Sequence, residues 1–297
     1  TRALNEGSRA HMTQADLFIA NIKDVKTKHA RELMERNWAS LSKQARHTEI
    51  KHVIGDNHVT ITGQAGYGIA TIWDHDILLF LISQMTAAQN QGAEITTRQL
   101  FTGYDFNTFV RKHKLGGSDY EKLWDSLNRL HFTHVQTSIR RRGKRDWAFN
   151  WLSDVRQEID ENGKHRGYTV SVAEWLVDAV RSKSLVLTLD EGYFGLKGGL
   201  ERWIYLWCRK AAGHQKSGWI ESFESLWYKS ASQENKKQFT RRLRNIIKKH
   251  EGRLLGYHIE EVIVHRRPSL SVERIEQHDV RELRRTNKRI REIGYGR

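Results

Sequence analysis

The sequence predicts an α+β protein made of two tandem winged-helix domains, and the prediction rests on a repeated pattern. Residues 118–151 and 235–272 each contain an amphipathic helix, a glycine turn and a pair of strands decorated with arginine. Earlier helical segments precede each stretch, so the order of helices followed by a hairpin occurs twice. A chain of 297 residues with 38% hydrophobic residues also holds enough material for two domains of about 100 to 200 residues each.

The first domain is expected over residues 13–189, after an opening segment, residues 1–12, whose GSRAHM ending is typical of a tag and cloning remnant. Alternating residues on both sides of Gly55 predict a β-hairpin. Thr71 and Asp74 fit a capping box, and the apolar residues that follow at helical spacing predict a core helix.

The next part of this domain is expected to hold three helices. Thr96 and Gln99 predict the start of a short helix that Gly103 ends, and a second helix is expected over residues 106–113. Apolar residues at helical spacing over 120–130 predict the third, which is the candidate recognition helix of the first domain.

A change of period after this helix predicts strands. Residues 135–139 and 147–151 alternate on either side of an RRRGKR turn, which predicts one long hairpin that a third strand at 167–172 continues. Residues 173–189 hold a helix and a β-branched run and close the domain. The segment 190–199, which has four glycines, is the expected joint.

The second domain is expected over residues 200–276, followed by a basic tail at 277–297. Three helices are expected, and their apolar residues are Trp203, Ile204 and Trp207, then Phe223, Leu226 and Trp227, then Phe239, Leu243, Ile246 and Ile247. Gly252 ends the third helix before a strand-like run, which is the pattern of a winged helix.

The balance of charge indicates a polyanionic partner. The chain has 50 Lys and Arg against 35 Asp and Glu, which gives a net charge of +15. A membrane is not the expected partner, because the longest apolar run, at residues 77–82, is far shorter than the ~20 residues that a spanning helix needs. The single cysteine, Cys208, cannot form an intrachain disulfide, which fits a cytoplasmic protein.

The helix at residues 236–249 is the strongest candidate for contact with DNA. No acidic residue occurs in it, and its apolar face leaves the opposite side to cations that suit phosphates. Arginine favours guanine in the major groove, and asparagine favours adenine. The alternative is a solvated basic helix face. The residues of this domain expected to bind double-stranded DNA are Lys236, Lys237, Thr240, Arg241, Arg244, Asn245, Lys248, Arg266 and Arg267.

The candidate recognition helix of the first domain differs in charge. Asp119, Glu121 and Asp125 nearly cancel Lys122 and Arg129, so this helix is expected to be repelled from a DNA groove. The basic charge lies in the hairpin tip instead, which is expected to contact the DNA backbone. A solvated turn, or a sheet used for self-association, is the alternative. The tip residues are Arg140, Arg141, Arg142, Lys144 and Arg145.

Signs of enzymatic chemistry are weak. No histidine pair has metal-ligand spacing beside a carboxylate, and neither a histidine–apolar–histidine tripeptide nor a GxxxxGK[ST] loop occurs. A tyrosine recombinase is the sharper rival, because His250 and Arg253 form an HxxR motif with Arg241 or Arg244 before it and Tyr295 after it. The strand pattern that follows places this motif at a turn beside a hairpin. We therefore expect a nonenzymatic protein without a cofactor or a metal.

Three segments carry a family resemblance. DLFIANI at residues 16–22, LMERNWASLSK at 33–43 and YGIATIWDHDILLFLISQM at 67–85 occur in this order and spacing, and ATIWD is the most specific part. The chain thereby resembles the plasmid initiators of the replication initiator protein A family, from about residue 16 into its C-terminal third.

The resemblance implies two tandem winged-helix domains and a function at a plasmid origin. Initiators of this type bind repeated sites called iterons, help to melt neighbouring AT-rich DNA, and recruit the host initiator and helicase. They also repress their own promoter as dimers, so a homodimer is an expected state. Residues 236–249 correspond in position to the second recognition helix, whereas ATIWD looks structural. A winged-helix transcriptional repressor is the alternative, and binding within repeats beside an origin distinguishes the two.

Overall fold

The structure is a computed structural model that describes residues 17–110, 117–138, 146–213 and 218–275. The predicted tag remnant, the arginine-rich hairpin tip and the C-terminal tail lie outside these residues. The described chain belongs to the mixed α+β class that the sequence predicts.

The α-helices are α1 (His75–Asn90), α2 (Gly103–Phe109), α3 (Gly117–Phe132), α4 (Glu174–Arg181), α5 (Gly199–Ala211), α6 (Phe223–Ser230) and α7 (Lys236–Lys249). The strands are β1 (Phe18–Ile19), β2 (Lys28–Ala30), β3 (Ile50–Ile54), β4 (Asn57–Gly63), β5 (Arg98–Phe101), β6 (Thr133–Thr137), β7 (Trp147–Asn150), β8 (Leu152–Ile159), β9 (His165–Val172), β10 (Val186–Thr188), β11 (Trp219–Ser222), β12 (Arg253–Leu254), β13 (Tyr257–Val264) and β14 (Arg267–Arg274). Short 3-10 helices lie at Arg31–Met34 and Glu191–Gly195.

The two halves of the chain share one connectivity. The first half runs α1, β5, α2, α3 and later the hairpin β8–β9, and the second runs α5, β11, α6, α7 and the hairpin β13–β14. In both, the strand before the second helix pairs antiparallel with the last strand of the hairpin, which gives the orders β5-β9-β8 and β11-β14-β13. The two halves therefore repeat one topology, but the hairpin of the first half lies later in the chain than the sequence pattern placed it.

The short helix predicted to start at Thr96 is wrong, because residues 98–101 form strand β5. Gln99 and Phe101 are buried, whereas their neighbours are only partly covered, and this alternation suits a sheet that packs on one side. The capping box lies later: Thr102 Oγ1 accepts from the Asp105 amide (3.1 Å) and Asp105 Oδ2 accepts from the Thr102 amide (3.0 Å). Helix α2 therefore starts before residue 106.

The predicted single long hairpin is also wrong. Strands β6 and β7 do pair, but they belong to the sheet β3-β4-β6-β7, and the chain changes sheets at the fully buried Trp151. Strand β8 then forms a second hairpin with β9. Strand β8 was not predicted because it has only three apolar residues, one of which, Ile159, is exposed, and because irregularities in its pairing interrupt the alternation. The hairpin equivalent to β13–β14 is therefore β8–β9, not the arginine-rich one.

The other predicted elements are confirmed. The hairpin around Gly55 is β3–β4, and α1 begins where Thr71 and Asp74 exchange backbone-to-side-chain hydrogen bonds of 2.7 and 3.2 Å. Helices α3 to α7 lie where apolar spacing placed them. No helix in the described ranges is both long and apolar enough to span a bilayer.

The outer edges of the two equivalent sheets differ. Strand β1 runs parallel to β5 and covers its edge, and the Ala20 amide donates to the Leu100 carbonyl at 2.8 Å. Strand β11 has β14 on one side and, within the described part of the chain, no strand on the other. Its Trp219 and Ile220 are 45% and 53% exposed. The edge is thus protected only in the first half.

A buried ion pair joins the two hydrophobic cores. Arg202 on α5 donates through Nη1 to both carboxylate oxygens of Asp76 on α1, at 2.8 and 2.9 Å. The Arg202 guanidinium also lies over the rings of Tyr193 and Trp73, and its Nε donates to the Leu196 carbonyl. The side chains of Arg202 and Asp76 are 5% and 11% exposed, so water screens their attraction poorly.

We predict that Asp76→Ala lowers the free energy of unfolding by about 3 to 5 kcal/mol, because it leaves a buried guanidinium without its counter-charge. Urea unfolding followed by tryptophan fluorescence measures this change. Asp178→Ala is the matched control, since Asp178 pairs with Arg181 on the exposed surface of α4 and its loss should cost below about 1 kcal/mol. Equal losses in the two variants would contradict a joining role for Asp76.

Candidate nucleic-acid interface

Helix α7 forms the candidate interface because its two faces differ completely. The Asn235 side chain accepts from the Gln238 amide at 3.0 Å and caps the first turn. Phe239, Leu243 and Ile246 are buried in the second core and fix the orientation of the helix. The opposite face carries cations and no acid, as the sequence predicts.

Several of these cations are already engaged with carboxylates. Lys236 contacts Glu224 at 2.6 Å, Arg242 contacts Glu234 at 2.7 Å, and Lys249 contacts the buried Glu201 at 2.6 Å. Arg242 and Lys249 nevertheless remain exposed. Lys236, which the sequence placed among the DNA-binding residues, is therefore held in an ion pair.

A narrow stripe of polar side chains is left for a ligand. The side chains of Lys237, Arg241, Asn245 and Lys248 form no ion pair or hydrogen bond with the residues that the structure describes, and all four residues are exposed. Their spacing of three or four residues places them on one face of α7. Thr240 lies beside this stripe and is partly buried. We call these four residues the α7 stripe.

Arg244 lies next to the α7 stripe and is bound to the hairpin. Its Nε and Nη2 donate to Oε2 and Oε1 of Glu261 on β13, at 2.8 and 2.6 Å. The hydrogen bond from Arg244 lowers the pKa of the Glu261 carboxyl, which therefore stays ionised. Sequence reasoning missed Glu261, because a separation of 17 residues along the chain carries no helical or strand spacing signal.

The turn of the hairpin β13–β14 holds two residues in the left-handed region. His265 and Arg266 have φ values of +48° and +63°, and Val264 pairs with Arg267 across the turn. Two-residue hairpin turns of this kind usually contain Asn and Gly, because a Cβ makes the conformation unfavourable. His265, Arg266 and Arg267 are all exposed, so the turn presents cations at the tip.

The equivalent surface of the first half has the opposite chemistry. The exposed face of α3 carries Glu121 and Asp125, and the hairpin β8–β9 carries Glu158 and Glu161 near its tip. The groove between α3 and this hairpin is lined by four aromatic side chains, Tyr120, Trp124, His165 and Tyr168, together with Glu121, Gln157 and Lys164. An acidic surface of this kind repels phosphates.

The expectation that a basic hairpin flanks α3 as its wing is corrected by the topology. The hairpin beside α3 has the tip sequence Asp160–Lys164, where Asp160 Oδ1 accepts from the Asn162 and Lys164 amides at 3.0 and 2.8 Å. Strands β6 and β7, which precede and follow the basic segment in the chain, belong to another sheet, and the segment's residues Arg140, Arg141, Arg142, Lys144 and Arg145 lie outside the described residues. Arg129 of α3 is bound to Asp74 at 2.7 and 2.8 Å.

Two residues of the recombinase alternative, His250 and Arg253, lie in the turn between α7 and β12 and at the start of β12. His250 contacts the buried carboxylate of Glu201, and Arg253 starts β12 after a turn. Burial acts to raise the pKa of the Glu201 carboxyl, but hydrogen bonds from Lys249, the Gly198 amide and His250 hold it below its usual value. Tyr295 lies outside the described residues.

Burial raises the pKa of the Cys208 thiol, which disfavours the nucleophilic thiolate.

Metal ligation has no candidate in the described ranges, where no group of three or more His, Cys, Asp and Glu side chains is placed to hold an ion.

Comparison with known proteins points to one family. A family model described as replication initiator protein A matches residues 28–259. A protein of Wigglesworthia glossinidia brevipalpis described as "Putative replication protein" is 30% identical over 240 residues, which are 79% of this chain and 86% of that protein.

Solved structures extend the likeness to the fold. A crystal structure of domains 2 and 3 of RctB has a TM-score of 0.59, with 14% identity, and the match covers 82% of this chain and 98% of that one. A second crystal structure of the same domains has a TM-score of 0.54, with 14% identity, and covers 86% and 99%. The shared arrangement of both halves is therefore one already seen in another protein.

We predict that replacing His265 and Arg266 by Asn and Gly raises the free energy of unfolding by about 1 kcal/mol, because it relieves the strain of two side chains at positive φ. Urea unfolding measures the change. Arg267→Gly serves as the control, since Arg267 lies in extended strand β14 and its replacement should destabilise. A loss of stability in the Asn-Gly variant would show that the turn is not strained.

Proposed function

The chain belongs to the replication initiator protein A family, and we propose that it initiates replication by binding double-stranded DNA at repeated origin sites through tandem winged-helix units. The observation that carries the proposal is the α7 stripe beside the hairpin tip. A helix fits the major groove of a duplex, and a neighbouring basic hairpin lies along the phosphates. The second half offers both surfaces, and the net charge of +15 favours association with DNA.

Within the second unit we propose a division of contacts. The side chains of Arg241 and Asn245 can form hydrogen bonds with base edges, so we propose that they contact bases in the major groove. Lys237 and Lys248, at the two ends of the α7 stripe, and Arg266 and Arg267, at the hairpin tip, are placed as phosphate contacts. Lys236 and Thr240 are proposed to contribute less, because one is in an ion pair and the other is partly buried.

The first unit is proposed to act differently. Its helix α3 and hairpin β8–β9 present carboxylates, so the reading of a duplex through α3 is unfavourable. The tip residues Arg140, Arg141, Arg142, Lys144 and Arg145 remain the candidates for backbone contacts from this half. We propose that the first domain spans residues 13–189 and the second residues 200–276, and that a basic tail follows at 277–297.

Family membership supports the wider function. We propose that the protein binds DNA repeats without enzymatic chemistry or a cofactor, promotes opening of nearby DNA, and recruits the host initiator and helicase. A homodimer that represses its own promoter belongs to the same proposal. A transcriptional repressor with this fold is the competing function, because the same helix and hairpin would serve it.

Selection from a pool of random duplexes at near-physiological salt tests this function. Retention of one motif that recurs as repeats at an origin supports an initiator. Retention of a short palindrome alone supports a dimeric repressor. If no sequence is enriched, the α7 stripe binds DNA nonspecifically and the proposal fails.

We predict that Arg241→Ala weakens binding to the selected site by about 1 to 3 kcal/mol and relaxes the preference at one position. Lys237→Ala and Lys248→Ala should instead weaken binding to all sequences and each flatten the salt dependence by about one unit. Arg242→Ala is the matched control, because Arg242 pairs with Glu234 away from the α7 stripe. Fluorescence anisotropy over a range of salt concentrations measures all four. Equal effects of Arg241→Ala and Arg242→Ala would exclude Arg241 as a reader.

We also predict that substitutions in the basic segment of the first half and substitutions of its carboxylates change DNA affinity differently. Replacing Arg140, Arg141 and Arg142 by alanine should weaken binding to every duplex and flatten its salt dependence. Replacing Glu121, Glu158 and Glu161 by glutamine should leave duplex affinity unchanged or slightly higher, because no phosphate approaches them. A marked loss of affinity in the glutamine variant would place DNA against α3.

A further inference from the structure

We propose that Glu261 is a positioning residue that sets Arg244 to recognise a guanine. The inference rests on the proposed function of α7 and adds a specificity determinant on the hairpin. The carboxylate itself would not touch DNA. It would act through the arginine that it holds.

The hydrogen bonds leave one edge of the guanidinium available. Arg244 uses its Nε–H and one Nη2–H for Glu261, at 2.8 and 2.6 Å. A guanidinium has five N–H groups, so both Nη1–H groups and the second Nη2–H stay without a partner among the described residues. The Nη1 and Nη2 edge presents two parallel donors, and the O6 and N7 atoms of guanine are two matching acceptors in the major groove.

The surroundings place this edge at the candidate interface. Arg244 lies one turn before Lys248 and one turn after Arg241, and it lines an open groove with Lys237 and Arg241. Its side chain is 54% exposed, whereas that of Glu261 is 27% exposed. The carboxylate is thus the more covered member of the pair, and the arginine is the more accessible one.

Two consequences of the pair have opposite signs. A bidentate carboxylate fixes the guanidinium plane, so less side-chain entropy is lost when a base binds. The same negative charge lies near the phosphates and weakens attraction to any duplex. Removing the charge should therefore reduce discrimination while it leaves or increases nonspecific affinity. A residue that only supports the fold would lower both together.

The matched control is already present on α7. Arg242 donates from Nη1 to Oε1 of Glu234 at 2.7 Å, on the side of the helix away from the α7 stripe. Glu234 lies just before α7, and Glu234→Gln removes a carboxylate that pairs with this helix without freeing an arginine beside the α7 stripe. Glu261→Gln keeps the size of the side chain and one acceptor oxygen.

The experiment uses the full chain, the duplex selected by the wild type from a random pool, and a mixed-sequence duplex of equal length. Glu261→Gln is expected to weaken binding to the selected duplex by roughly fivefold to a hundredfold. Its affinity for the mixed duplex should stay equal or rise. Glu234→Gln should leave the ratio of the two affinities unchanged. Thermal unfolding of each variant checks that the fold is retained.

A double-mutant cycle separates positioning from support of the fold. In an Arg244→Ala background, Glu261→Gln should have no further effect on the affinity ratio. Replacing the contacted guanine by 7-deazaguanine, which lacks the N7 acceptor, should weaken binding of the wild type but not that of Arg244→Ala.

Each other outcome is decisive. A wild type that enriches no sequence overturns the proposed function. An enriched motif without guanine, an unchanged ratio in Glu261→Gln, or a full effect of Glu261→Gln in the Arg244→Ala background overturns only the role of Glu261.

Discussion

The buried contact between Arg202 and Asp76 is the constraint on which the rest of the molecule depends. Helix α1 belongs mainly to the first core and α5 to the second, and the ion pair fixes one against the other. The residue before Arg202 extends this chain of contacts, because Glu201 receives Lys249 and His250 from the end of α7. Two consecutive residues of α5 therefore connect the first core to the helix that carries the candidate interface. The orientation of that helix therefore depends on these contacts together with the packing of Phe239, Leu243 and Ile246 in the second core.

The sequence predicts the features that local periodicity encodes. The apolar spacing of Phe239, Leu243 and Ile246 locates α7 and its exposed face, and the exchange between Thr71 and Asp74 marks the start of α1. Strands β5 and β8 escape prediction, because short or half-exposed strands carry too few apolar residues to show a period of two. Side-chain pairing escapes it as well. The sequence does not show which cations form ion pairs, because the fold alone brings Glu224 to Lys236 and Glu261 to Arg244.

The two halves show how one connectivity can carry opposite surface charge. Their helices and hairpins follow the same order, yet α7 faces outward with cations, and α3 with carboxylates and aromatic rings. The buried positions maintain the fold in both, so the exposed positions are free to differ. The fold similarity to RctB at 14% identity likewise shows a shared topology with few shared residues. Equivalent elements in the two halves therefore need separate functional arguments.

The unequal sheet edges have a consequence for how the protein behaves when it is concentrated. Strand β1 covers the β5 edge of the first sheet, whereas among the described residues no strand pairs with the outer edge of β11, where Trp219 and Ile220 are exposed. An unshielded edge is a template for strand addition, and proteins usually shorten such edges or place charge on them. Here β11 has only four residues and ends at Glu221 and Ser222, which limits the length of any added strand. Colloidal stability of the second half thus depends on the brevity of one strand, while that of the first depends on a strand contributed from the N-terminal region.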